Sequence, residues 1–199
     1  MSEKKFLQTP SQTVGPFFAY GLTPEQYNYR LDSVATPELA DDDTEGARIR
    51  IEGRVFDGNG DTVPDAMIEI WQADHQGRYA HPADPRRPNS GFSGFGRTGT
   101  GTDASHRFWF HTIKPGRIDD QQAPHVNVVV FMRGLPTHAY TRLYFAEETQ
   151  ANAADPVLNA VPAERRHTLL AERIERPGAV TYRFDIHMQG SNETVFLDY

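Results

Sequence analysis

The stretch His111-Thr-Ile-Lys-Pro-Gly-Arg-Ile-Asp-Asp-Gln-Gln-Ala-Pro-His-Val-Asn-Val-Val-Val-Phe-Met-Arg-Gly134 reads as the end of one strand, a Lys114-Pro115-Gly116 turn, a polar loop and a new strand from His125 to Phe131. Residues i and i+2 of a strand face the same way, so His125 and Asn127 share one face. Pro115 and Pro124 stiffen the neighbouring loop. A rigid strand end beside such a loop is a place for a metal or ligand pocket. This one offers an imidazole and an amide where a metal site would take two imidazoles.

The same alternation extends outward. Ala47–Phe56, Ala66–Gln72, Arg107–Ile113 and Ala139–Phe145 read as strands, as do Val180–His187 and Glu193–Asp198. Asp57-Gly58-Asn59-Gly60 predicts a hairpin turn and Asp74-His-Gln-Gly77 a second turn. Residues 80–94 read as an open loop. Segments 146–152 and 163–174 favour helix by propensity, with Asp155-Pro156 between them. Thr23 and Pro24 start a single helical turn. The pattern predicts an all-β fold: a β-sandwich over 47–199 with a short helical excursion near 146–175. An extended N-terminal arm covers 1–46. Its aromatics Phe17, Phe18 and Tyr20 call for burial, on this sheet or on a partner chain, and its acidic run 40–46 reads as a solvated loop.

The 199 residues include no cysteine, which excludes disulfides, thiolate metal sites and a cysteine nucleophile. A net charge of −7 argues against a nucleic-acid partner. No apolar run reaches the roughly 20 residues that span a bilayer. Neither the N-terminus nor any later stretch reads as a signal peptide or membrane anchor, so a cytoplasmic location is expected. No histidine pair has the helical spacing of a zincin site, and no phosphate loop or nucleophile elbow is present. Arg133 closes the His125 strand and reads either as a fork for a substrate carboxylate or as an exposed strand-end ion pair. Arg142, between Tyr140 and Tyr144, reads as a structural ion-pair partner.

Several motifs in order carry a resemblance: Thr9-Pro-Ser-Gln-Thr-Val-Gly-Pro-Phe17, Gly53-Arg-Val-Phe-Asp-Gly-Asn-Gly60, Glu69-Ile-Trp-Gln-Ala-Asp74, Gly94-Phe-Gly-Arg-Thr98, His111-Thr-Ile-Lys-Pro-Gly116, Ala123-Pro-His-Val-Asn-Val128 and Thr141-Arg-Leu-Tyr-Phe145. Nearly end to end, the chain resembles the intradiol ring-cleavage dioxygenases. The resemblance implies a β-sandwich and cleavage of 3,4-dihydroxybenzoate (protocatechuate) by O2 to 3-carboxy-cis,cis-muconate. It also implies Fe(III) held by two tyrosinates and two histidines, hard anionic oxygens suiting the ferric ion. This chain departs at three of those four positions. No tyrosine lies in 80–94, Arg117-Ile118 follows the Lys-Pro-Gly turn, and Asn127 replaces the second histidine. Tyr79 lies too early in its loop to substitute.

The departures match the iron-free α chain of a two-chain member of the family. Such a chain implies an iron-bearing homologous β subunit, an active site at the α/β interface and a higher α/β oligomer. Fe(III) is then expected on the partner, with no metal in this chain. Carried over, the substrate contacts fall on Thr13, Gly15, Pro16, Phe17 and Arg133, and His125 with Asn127 form a vestigial metal pocket. A self-sufficient enzyme and a non-catalytic β-sandwich binding module are the competing readings.

Overall fold

The structure, a computed structural model, describes residues 7–15, 17–88, 91–176 and 178–198; Pro16, expected at the substrate, lies outside these residues. Nine strands are present among the described residues: β1 (Arg48–Phe56), β2 (Met67–Gln72), β3 (Phe95–Gly99), β4 (Arg107–Ile113), β5 (His125–Phe131), β6 (Ala139–Phe145), β7 (Leu170–Arg176), β8 (Ala179–Arg183) and β9 (Ile186–His187). They run in the order β3-β2-β5-β6-β7-β8-β1-β4, with β9 paired to β1. Three short helices, α1 (Phe18–Leu22), α2 (Thr149–Ala154) and α3 (Pro156–Ala160), complete the chain together with 3-10 segments.

The path folds over on itself at β7. Leu170 and Ala171 pair in parallel with Tyr144 and Phe145 of β6, while Glu172–Arg176 pair antiparallel with β8. One strand thus belongs to both halves of the sandwich. Alternation points Ile49, Ile51 and Val55 of β1 and Phe108 and Phe110 of β4 inward. There they meet Ile68 and Ile70 of β2 and Val126, Val128 and Val130 of β5 in one core. Each such side chain, fully buried, contributes about 1.5–3 kcal/mol.

Propensity misleads at β7. The helix expected over 163–174 is a 3-10 segment that stops at Leu169, because Leu169 and Ala171 are both fully buried and the backbone beyond finds ladder partners. Two more expected strands change. Val180–His187 breaks at Phe184-Asp185, where the backbone passes over Gly53. A Cβ on Gly53 would stand 1.9 Å from the Phe184 carbonyl, so only glycine fits. Phe184 N–H donates to Glu52 O (2.9 Å), and the Asp185 carboxylate accepts from Arg54 N–H (3.0 Å). Residues 193–198 form no ladder; they are tied by single bonds such as Leu197 N–H to Tyr140 O (2.8 Å).

The Asp57–Gly60 turn forms, with Asp57 accepting from Asn59 and Asp61 N–H. Its hairpin goes no further than a bridge between Phe56 and Thr62, because β2 pairs in the other half of the sandwich. β3, which lacked a strand reading, forms because Phe95–Gly99 pairs along β2. In the arm, the turn at Pro24–Tyr27 forms, but the Thr23 hydroxyl donates to Ala19 O (2.9 Å) and does not cap it. Residues 36–39 pack on β4, with Leu39 in the core and its N–H bonded to His111 O. Of the arm's aromatics, Phe17 is not buried on this chain's own sheet: it is 74 % exposed.

Candidate functional site

β5 and β6 are antiparallel, with His125 opposite Tyr144 and Asn127 opposite Arg142. Directly opposed residues share a face. His125, Asn127, Tyr140, Arg142 and Tyr144 therefore all project from the side of the sheet away from the core. The helical excursion covers that side: Leu158, Val161 and Leu169 pack with Tyr144 and Ala123 in a second cluster. His125 and Asn127 do come together, as expected, and both are buried.

A hydrogen-bond network fills the pocket. His125 Nδ1 lies 2.8 Å from Ala123 O. A carbonyl only accepts, so Nδ1 carries the proton and Nε2 keeps its lone pair; Nε2 is buried and unpartnered. Burial, reinforced by the Arg142 charge, lowers the His125 pKa to about 4. The Asn127 amide donates to Trp71 O (3.2 Å), and its carbonyl accepts from the Tyr140 hydroxyl. Arg142 donates to Gln122 Oε1 (2.9 Å) and to the Tyr144 hydroxyl (3.5 Å). Tyr144 in turn donates to Asp155 Oδ1 (3.2 Å). Burial raises the Tyr144 pKa above the ordinary phenol range, so it stays neutral. Burial opposes the charge on Arg142, but hydrogen bonds with the Tyr144 and Tyr140 phenols outweigh it and raise its pKa.

Arg142 was expected in an ion pair; among the described residues its polar partners are an amide and phenols. Sequence reasoning also missed Gln122, Tyr140, Tyr144 and Asp155. The available signal was the Tyr140-x-Arg142-x-Tyr144 alternation, but only the strand register places it against His125 and Asn127.

Ferric iron needs anionic donors and open coordination positions. This pocket offers one imidazole lone pair, an amide oxygen already bonded, neutral phenols and a guanidinium. The donor set does not fit the ion. Among the described residues no group of three or more His, Asp or Glu is placed to hold any metal. Next to the pocket, Trp71 stacks on Tyr79 (ring centroids 5.7 Å apart). These two rings, with His81, Phe95 and Arg86, line an aromatic cleft of about 780 Å³.

The expected substrate contacts gather elsewhere. Gly134 N–H donates to Thr13 Oγ1 (2.8 Å), which brings the arm beside Arg133. Arg133 pairs with Asp65 and remains half exposed. Gly15 accepts from Phe18 N–H (3.3 Å), with open space around its Cα. Arg133 lies six residues beyond Asn127, up to about 20 Å along an extended chain. Thr13 and Arg133 thus form a second group, at the surface and apart from the buried pocket.

Fold and pocket together define a strand-rich sandwich of the intradiol dioxygenase architecture whose pocket between β5 and β6 is filled by its own polar side chains. A family profile described as Dioxygenase matches residues 26–190. The chain belongs to this dioxygenase family. It is 58 % identical over 192 residues to a protocatechuate 3,4-dioxygenase alpha chain of Burkholderia cepacia, covering 96 % of this chain and 97 % of the relative. It is 34 % identical over 163 residues to a protocatechuate 3,4-dioxygenase beta chain of the same organism, covering 75 % and 67 %. A solved intradiol ring-cleavage dioxygenase of Tetranychus urticae shares the fold, with a TM-score of 0.60 and 17 % identity over 92 % of this chain and 94 % of that one. Among the described residues no helix is long and apolar enough to cross a membrane.

Proposed function

We propose that this chain is the iron-free α subunit of a heteromeric intradiol dioxygenase acting on 3,4-dihydroxybenzoate. The observation that carries the reading is a near-full-length relationship to an alpha chain of such an enzyme, in a chain whose described residues bring no three His, Asp or Glu together for a metal. The homologous β chain then holds the iron, which supplies the ring-opening chemistry with O2. This chain supplies walls and charge at the interface: Thr13 and Gly15 of the arm (residues 1–46), with Phe17, border the substrate, and Arg133 meets its carboxylate. The surface supports a partner. Among the described residues, the exposed large apolar side chains all lie between Leu7 and Val34, and Val34 is 97 % exposed. Within this stretch Phe17, Tyr20 and Tyr29 lie against one another, apolar surface of the kind a partner covers. The assembly is a higher α/β oligomer working in the cytoplasm.

Iron content and visible absorption, measured on this chain alone and after co-expression with a candidate β chain, test the reading. The expected result is no iron alone, and a coloured tyrosinate–iron complex with 3,4-dihydroxybenzoate-dependent O2 uptake when co-expressed. Stoichiometric iron with turnover in the lone chain would overturn it in favour of a self-sufficient enzyme.

Arg133 carries a second expectation. Arg133→Ala in the assembled enzyme raises KM roughly tenfold or more, the loss of a charge-assisted contact of about 1.5–3 kcal/mol. Asp65 already neutralises the guanidinium in part, so Asp65→Asn lowers KM or leaves it unchanged. An unchanged KM in Arg133→Ala removes this residue from the site.

A further inference from the structure

The pocket of β5 and β6 already contains a cation. Arg142 stands opposite Asn127 in mid-sheet and is only 9 % exposed. Its guanidinium is held by Gln122 and Tyr144, and two carboxylates reach it through these side chains: Asp155 through the Tyr144 phenol and Asp119 through the Gln122 amide. Two buried atoms here lack a partner among the described residues: Arg142 Nε, a donor, and His125 Nε2, an acceptor. A lone pair on a buried imidazole is the natural first ligand for a transition metal. What stands near it is a permanent positive charge that burial screens little from an incoming ion.

We propose that Arg142 is the resident cation of this pocket: the guanidinium takes the electrostatic place of a metal among the donors of β5 and β6, and its charge excludes metal ions independently of the missing ligands. The proposal deepens the iron-free reading above and rests on it. It also accounts for the polar lining of this pocket. Tyr144, Tyr140 and Gln122 organise around the guanidinium through hydrogen bonds, which gives the polar side chains of the pocket a partner.

The test uses Co(II) as the metal probe and the full chain as host, with folding checked by circular dichroism. Asn127→His restores a second imidazole two residues from His125. Wild type and Asn127→His are expected to show no cobalt band that depends on His125, with His125→Gln as the control for surface sites. Asn127→His/Arg142→Gln is expected to bind at least a hundredfold tighter than Asn127→His. Asn127→His/Arg142→Lys keeps the charge and is expected to behave like Asn127→His. If the glutamine variant does not fold, Asn127→His/Arg142→Leu preserves the apolar stem and takes its place.

Cobalt binding by Asn127→His as tight as by the charge-removed variant overturns the proposal. So does equal binding by the lysine and glutamine variants, since exclusion would then owe nothing to charge. His125-dependent metal in the wild-type chain would instead defeat the iron-free reading itself.

Discussion

Asp155→Ala is expected to destabilise the chain by about 3–5 kcal/mol, through a lost helix cap and buried donors left unpaired. Asp155 is fully buried, and its carboxylate is the point where three segments meet. Oδ1 accepts from Val157 and Leu158 N–H (2.9 Å each), capping α3. Oδ2 accepts from Ala123 N–H (2.8 Å), in the loop that leads into β5. The Tyr144 hydroxyl adds a fourth donor. Alanine strands all of them in a space water reaches poorly. Ala123 is also the residue whose carbonyl orients His125, so the damage extends to the pocket. Asp155→Asn keeps one oxygen for the cap and should lose less than half as much. Urea unfolding of both variants checks this; a loss below about 1 kcal/mol in Asp155→Ala would mean that the loop and α3 are held by something else.

A comparable loss, about 3 kcal/mol, is expected on acidification of the wild-type chain because of His125. The folded protein holds this imidazole neutral until about pH 4, whereas the unfolded chain takes up the proton near pH 6.5. The folded pKa is depressed, so the unfolded state binds more protons between these limits and stability falls as pH falls from 6.5 to 4. Above pH 6.5 the contribution is flat and fully present. Each tenfold difference in proton affinity corresponds to about 1.4 kcal/mol. The charges that bear on the ring are Arg142, which disfavours the proton, and the more weakly acting Asp155 and Asp119, which favour it. His125→Gln isolates the effect: the gap between wild type and variant should narrow steadily between pH 6.5 and 4. A gap that stays constant with pH would show that the imidazole is not held neutral.

The pocket was half legible from sequence. Strict alternation in His125-Val-Asn-Val-Val-Val predicts both the strand and the face that His125 and Asn127 share, and both predictions hold. β4, β5 and β6 begin and end where the pattern places them. The other half of the pocket comes from β6, the 119–123 loop and α3. No local pattern says that Arg142 lies opposite Asn127, because register between strands is a long-range property. The Asp155-Pro156 pair is visible as a break between helices, but its role as a cap that also ties down a distant loop is not. β7 was misread for a similar reason: Ala163–Ile174 has helical propensity throughout, and ladder partners on two sides override it from Leu170 onward.

By itself, the sequence determined the β-rich class and the family motifs of the arm and strands. These follow from residue identity and short-range periodicity, which need no knowledge of neighbours. Only the tertiary structure decided that Arg142 lies opposite Asn127 and bonds Gln122 and Tyr144 in the pocket, and that Thr13 and Arg133 gather at the surface away from it. Those facts depend on which strands become neighbours and in what register. That choice is made by burying Ile, Val and Phe from both halves of the sandwich in one core, not by the pocket residues themselves.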